Sequence, residues 1–289
     1  MSPASPQEKP GYARVPMGPL AVLRAVLRLP LLVLVTLVMA LGWGLAALWP
    51  WRHARRVRLR RGVTRRWAAL MCRVLGARIV VSGERPDGPG FLISNHVSYL
   101  DIPVLMSLTG CRFVSKHEVA DWPFIGLLAR RAGTLFVKRG DGAREAGVTL
   151  VGMTRALEDG DVVVFFPEGT TSPGNCILPF RSGLLSVPAR DGHPVYPAAL
   201  HYETGDPDID PAIGLAWWGE QSLVSHVWRL LCLRGFTVRV AIAAEAVGAG
   251  HRKQLAQALQ HRVATLHEAL REQSVGASTA PGIDPGQAA

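Results

Sequence analysis

GFLISNHVSYLDIP, residues 90–103, decides how the rest of the chain is read. Phe91, Leu92 and Ile93 are consecutive and apolar, the pattern of a strand covered on both faces. The run ends at Ser94, so His96 falls in a turn. Five residues of helix rotate by about 500°, which would put His96 and Asp101 on different faces. Asp101 fits an N-cap, and Pro103 then lies in the first turn of a helix, where its missing N–H costs nothing. Strand, turn and helix start in so short a span are the opening of a β–α unit. In that turn a carboxylate can curl back to the imidazole, fix its tautomer and steady a developing positive charge. His96 would then be a general base toward a hydroxyl. The plainer alternative is a cap beside an ordinary turn histidine. Spacing alone does not choose, because His201 and Asp206 share it. That second pair runs into the turn-rich ETGDPDIDP, and Asp206, Asp208 and Asp210 have no further nearby ligand to complete a cation site.

Downstream the same texture repeats. CRFVSK (111–116), GTLFVKR (133–139), DVVVFFP (161–167), PVYPAALHY (194–202) and FTVRVAIAA (236–244) read as strands. Residues 101–108, 122–132, 144–158 and 251–271 read as helices, the last with Leu255, Leu259, Val263, Leu266 and Leu270 on one face. With ARIVVSG (77–83) before them, these predict an α/β domain over residues 77–272 whose sheet is mostly parallel and flanked by helices. Residues 273–289, rich in Gly, Ala, Pro and Ser, read as a disordered tail.

Upstream, residues 29–49 are uncharged and just long enough to cross a hydrocarbon core of about 30 Å. Trp43, Trp49 and Trp51 gather at the end of this run, as at a membrane interface. Pro50 separates it from a basic second helix, roughly residues 55–75, so residues 29–76 form a membrane helix or a two-helix hairpin lying in one leaflet. Residues 1–28 are a basic N-terminal segment. Of 289 residues 48% are hydrophobic, mean hydropathy is +0.19 and net charge is +10. No acidic residue occurs between Glu8 and Glu84, and eight arginines lie from Arg52 to Arg66. After an apolar helix, these arginines point to lipid headgroups and hold the bulk of the chain on the cytoplasmic side.

Other classes are disfavoured. The chain carries no helix-turn-helix, zinc-finger or RNA-binding signature, so no nucleic-acid partner is expected. Cys72, Cys111, Cys176 and Cys232 form no CxxC pair and read as reduced thiols, so no metal is expected. There is no G-x-S-x-G elbow for a serine hydrolase.

In order, NHVSYLD (Asn95–Asp101), GTLFVKR (Gly133–Arg139), FPEGTTS (Phe166–Ser172) and HPVYP (His193–Pro197) resemble the four motif blocks of the glycerolipid acyltransferases. The resemblance is to the bacterial 1-acyl-sn-glycerol-3-phosphate acyltransferase family and covers roughly residues 75–245. It implies that His96 deprotonates the free hydroxyl of a lysolipid and that Asp101 orients His96. It further implies that Arg139 holds the acceptor phosphate, and that Glu168, Gly169 and Thr170 shape the acceptor site. The implied acyl donor is acyl-CoA or acyl-carrier protein, with direct transfer and no cofactor, at the bacterial inner membrane. One position departs from the pattern. Thr171 stands where the third block carries an arginine. The family's usual acceptor, lysophosphatidate, is the one expected, with Lys138 or Arg181 replacing that cation; the alternative acceptor is lyso-ornithine lipid, and a reading of another class is a non-catalytic lipid-binding protein at the membrane surface. A second departure is AWWGEQSLVSHVWRLL (216–231), whose Trp217, Trp218 and Trp228 fit either an interfacial anchor or a packed helix.

Overall fold

The computed structural model describes residues 18–48, 52–86, 88–138, 142–206 and 208–279. Two long helices come first, α1 (Pro19–Leu48) and α2 (His53–Leu75). Then follow β1 (Ala77–Ser82), β2 (Gly90–Ser94), α3 (Asp101–Thr109) and β3 (Arg112–Lys116). A 3₁₀ turn at His117–Asp121 leads to α4 (Ile125–Ala132), β4 (Leu135–Val137), α5 (Gly142–Glu158) and β5 (Val162–Phe165). The chain continues through α6 (Ser186–Asp191), β6 (Val195–Thr204), α7 (Pro211–Gly214), α8 (Leu223–Cys232), β7 (Phe236–Ile242) and α9 (Arg252–Thr279).

The strands form one seven-stranded sheet in the order β1-β7-β6-β2-β5-β3-β4. Every neighbouring pair is parallel except β6 and β7, so β1 and β7 run against the other five. The expected mostly parallel α/β architecture is what forms. Successive residues of β2 point to opposite faces: Leu92 packs with α2, α3 and α8, whereas Phe91 and Ile93 pack with α5, α6 and α9. This is why β2 carries an unbroken apolar run.

The apolar segment starts earlier than the sequence pattern indicates, at Pro19 rather than Leu29. Arg24 and Arg28 interrupt that pattern but are half-buried against the end of α8. Arg24 donates to the carbonyl of Cys232, and Arg28 to those of Leu231, Leu233 and Arg234 at 3.1, 2.6 and 3.2 Å. They thus satisfy the last carbonyls of α8, where a helix leaves acceptors unpaired and favours positive charge. α1 is long and apolar enough to cross a membrane, and only 11% of its most apolar window is buried. Its inner side rests on α2, where the Trp67 indole donates to Thr36 Oγ1 at 3.2 Å. Trp49, Pro50 and Trp51 lie outside the described residues.

The arginine block is also used differently from the expectation. Arg60 and Arg61 of α2, with Arg112 of β3, converge on Asp161, which is fully buried just before β5. Arg112 also reaches Asp159 at 2.6 Å. Arg65 donates to the Ser107 carbonyl. Three of the eight arginines thus clamp α2 to the N-terminal end of the strands and to α3, while Arg52, Arg56, Arg58 and Arg66 stay exposed. At the other end of the chain, α9 runs on to Thr279, into the segment expected to be tail. Residues 280–289 lie outside the described residues.

Candidate active site

The parallel strands β2, β5, β3 and β4 end at one edge of the sheet, the edge where open α/β folds place their chemistry. β2 ends at Ser94, and the next residue locks the turn to the sheet. Asn95 accepts the Leu200 N–H on Oδ1 at 2.8 Å and donates from Nδ2 to the Leu200 carbonyl at 3.0 Å. Its side chain thereby mimics one more residue of strand against β6.

His96 and Asp101 meet. His96 Nδ1–H donates to Asp101 Oδ2 at 2.7 Å, which fixes the tautomer and leaves the lone pair of Nε2 directed away from the carboxylate. Asp101 is not the N-cap the sequence suggests. Leu100 holds that position without a side-chain bond, and Asp101 opens the helix. Its carboxylate turns backward instead, accepting the Val97 and Ser98 N–H groups at 2.7 and 3.1 Å. The His96 imidazole is 19% exposed and Asp101 is 0% exposed, so one partner faces solvent and the other is sealed.

The second block of residues comes from the end of β5. Phe166 to Gly169 is a tight turn, closed by Gly169 N–H to the Phe166 carbonyl at 3.0 Å. Gly169 has φ +67°, a conformation that disfavours a side chain. The turn stacks the Phe166 ring on the His96 imidazole and places Glu168 Oε1 3.3 Å from the His96 N–H. Ser172 N–H donates to the His96 carbonyl at 2.9 Å, so the two blocks are knitted by backbone. Glu168 is 2% exposed, and among the described residues its Oε2 has no hydrogen-bond partner. Burial pushes its carboxyl up to about 8, assisted by the charge of Asp101 and opposed by the N–H groups of His96 and Leu178.

The other predicted residues fall at graded distances. Thr170 is exposed and Thr171 half-buried in the short link from Gly169 to Ser172. The Arg181 backbone N–H donates to the Pro167 carbonyl at 2.9 Å, which brings this exposed residue beside the turn. Lys138 follows β4, three strands from β2, roughly 14 Å at the usual strand spacing. Arg139 lies outside the described residues. His201 and Asp206 do not pair: His201 packs against His267 and Asp206 holds Arg234. Asp210 caps α7.

Three contributors were not foreseen. Tyr202 of β6 donates its hydroxyl to Asp101 Oδ1 at 2.7 Å. A tyrosine in an apolar strand reads as core, so no sequence signal marks it. Trp217 N–H donates to the Val97 carbonyl at 3.1 Å, and Tyr99 meets His226 of α8 at 2.9 Å. The tryptophan-rich segment therefore packs behind the catalytic-type turn: Trp217 and Trp218 bond to the Gln221 and Ala212 carbonyls, and Trp228 lies against the core. Among the described residues, no group of three potential metal ligands occurs.

Comparison with known proteins adds to this geometry. The sequence profile of the family described as Acyltransferase matches residues 78–201. The chain is 38% identical over 203 residues to the lyso-ornithine lipid O-acyltransferase of Pseudomonas aeruginosa, covering 67% of this chain and 75% of that protein. It is 32% identical over 159 residues to the 1-acyl-sn-glycerol-3-phosphate acyltransferase of Neisseria meningitidis serogroup B, covering 54% of this chain and 60% of that protein. The crystal structure of the 1-acyl-sn-glycerophosphate (LPA) acyltransferase PlsC from Thermotoga maritima has the same fold, with TM-score 0.65 over 87% of this chain and 95% of that chain at 19% identity.

Proposed function

The chain belongs to the acyltransferase family, and from that premise we propose that it moves a fatty acyl group from a thioester, acyl-CoA or acyl-carrier protein, to the free hydroxyl of a membrane lysolipid. The observation that carries this reading is the bond from His96 Nδ1 to a sealed Asp101. It leaves Nε2 to take the proton of the acceptor hydroxyl. The acceptor oxygen attacks the thioester carbonyl, the C–S bond breaks, and the departing thiolate takes the proton from His96. Asp101 balances the transient imidazolium. Glu168, Gly169, Thr170, Thr171 and Arg181 border the acceptor, and the apolar face of α1 keeps the site at a bilayer, the cytoplasmic face of a bacterial inner membrane.

Lyso-ornithine lipid is the acceptor we favour. Thr171 supplies no charge for a phosphate monoester, and the Pseudomonas relative is named for that lipid. Lysophosphatidate is the second reading, supported by Arg181 beside Pro167. The test supplies membranes containing wild type or His96→Ala with labelled donor in both forms and either lysolipid, and identifies the product. Ornithine lipid made by wild type alone supports the favoured reading; phosphatidate alone selects the second. Equal product from His96→Ala would remove His96 from the chemistry.

A further inference from the structure

The carboxylate of Asp101 has two oxygens with unlike surroundings. Oδ2 accepts three N–H groups, from His96, Val97 and Ser98. Oδ1 accepts the Tyr202 hydroxyl, which comes from β6, the strand paired with β2. Asp101 is fully buried, so a lost donor on Oδ1 is not replaced by bulk water. Rotation of a carboxylate about its last torsion is soft and roughly two-fold, so three N–H groups on one oxygen do not by themselves fix the plane of the group. A donor on the second oxygen does. The phenol ring itself has little freedom, being 4% exposed and packed at 6.2 Å from the Phe236 ring. It stays a neutral donor, because burial and the neighbouring Asp101 charge raise it well above the ordinary tyrosine value.

We propose that Tyr202 is a positioning residue for acyl transfer: its hydroxyl holds the Asp101 carboxylate with Oδ2 toward His96 and draws negative charge onto Oδ1. The proposal rests on the reading of His96 and Asp101 as the working pair. It assigns a second effect besides orientation. Charge drawn to Oδ1 is charge withheld from Oδ2, so Tyr202 sets how firmly Asp101 holds a proton on the imidazole. The titratable groups that face this carboxylate are His96 on its turn, Glu168 from the end of β5 and Tyr202 from β6; Cys72 from α2, whose thiol burial pushes up to about 12, lies near the phenol instead. Among these, Tyr202 is bonded to Oδ1, and Phe differs from it by that bond alone.

The experiment uses the full chain in lipid vesicles, with Tyr202→Phe, wild type and His96→Ala in the same assay. For Tyr202→Phe, kcat falls by about tenfold or more, the range for losing a hydrogen bond to a charged group, while KM for both substrates stays close to wild type. The acid limb of its kcat/KM profile moves to higher pH by about one unit, since the unshared carboxylate keeps the imidazole protonated longer. Thermal unfolding is recorded alongside. A lower unfolding temperature with wild-type kcat and a superimposable pH profile would mean that the bond serves folding only, and would overturn the proposal. Should the Phe variant not fold, 3-fluorotyrosine inserted at position 202 keeps the bond with a stronger donor, and the acid limb then moves to lower pH; no movement overturns the proposal. Wild-type activity in His96→Ala would instead sink the underlying pair, an outcome read separately from the Tyr202 result.

Discussion

The imidazole of His96 lies flat on the ring of Phe166, with centroids 4.0 Å apart and planes 2° from parallel. Phe166 in turn stacks on Phe113 of β3 at 5.9 Å. The proton-accepting ring is therefore held on three sides: by a carboxylate at Nδ1, by an aromatic face, and by backbone bonds at its own N–H and carbonyl. Stacking sets the plane of the ring and the carboxylate sets its rotation in that plane.

Replacing Phe166 by Leu removes the face while keeping an apolar side chain. Aromatic pairs contribute about 0.5–1.5 kcal/mol beyond area burial, so kcat should fall about three- to tenfold. KM for the acyl donor should hold. Steady-state kinetics on vesicles decide this, and an unchanged kcat would reduce the stack to packing.

Glu168 makes stability depend on pH with a definite sign. Its folded carboxyl titrates near 8, against an ordinary value of 4.5. Between those values the folded state holds a proton that the unfolded state has released, so stability falls as pH rises through this window. Glu168→Gln keeps a neutral acceptor for the His96 N–H and removes the proton. Denaturant midpoints measured from pH 5 to pH 9 should decline more steeply for wild type than for the variant. Parallel curves would contradict the assignment.

The Asp161 cluster should act on stability alone. Asp161→Asn leaves Arg60, Arg61 and Arg112 crowded without their buried counter-charge. Breaking a buried pair by removing one partner costs about 3–5 kcal/mol. Urea unfolding should register that loss, whereas kcat of the folded fraction should be near wild type, because Asp161 precedes β5 and Glu168 follows it. A large fall in kcat at full folding would tie the cluster to the site.

Thr171→Arg restores a cation at the third block. A charge-assisted bond to phosphate should raise kcat/KM for lysophosphatidate relative to lyso-ornithine lipid by roughly tenfold. Competition between the two acceptors, scored by product, measures the ratio. No change would place headgroup recognition elsewhere, with Arg181 the next substitution to make.

Much of this was legible in the chain. Consecutive apolar residues in β2 and β5, bounded by polar turns, announced strands covered on both faces, and His96 and Asp101 could be placed on a turn and a helix start. The reversal of β7 could not be read, because the apolar pattern of a strand looks the same in either direction. Arg24 and Arg28 hid the true start of α1, since the carbonyls they serve belong to α8, about two hundred residues on. The same holds for Arg60 and Arg61: a solvated basic face and one folded onto a single aspartate have identical sequences. Tyr202 was invisible for a related reason, as only the pairing of β6 beside β2 brings it to Asp101.

β6 also acts as a ruler. The Asn95 amide grips the backbone of Leu200, and Tyr202, which reaches Asp101, stands two residues farther along the same strand. Two residues are one full pleat, so the phenol projects to the same face as the Leu200 side chain, at a fixed interval from the grip. Deleting or inserting a single residue between them would swing the phenol to the opposite face, toward α9. The length of the strand between them is therefore fixed, and a change in the spacing of these two residues in a related chain would signal that its aspartate is held by some other means.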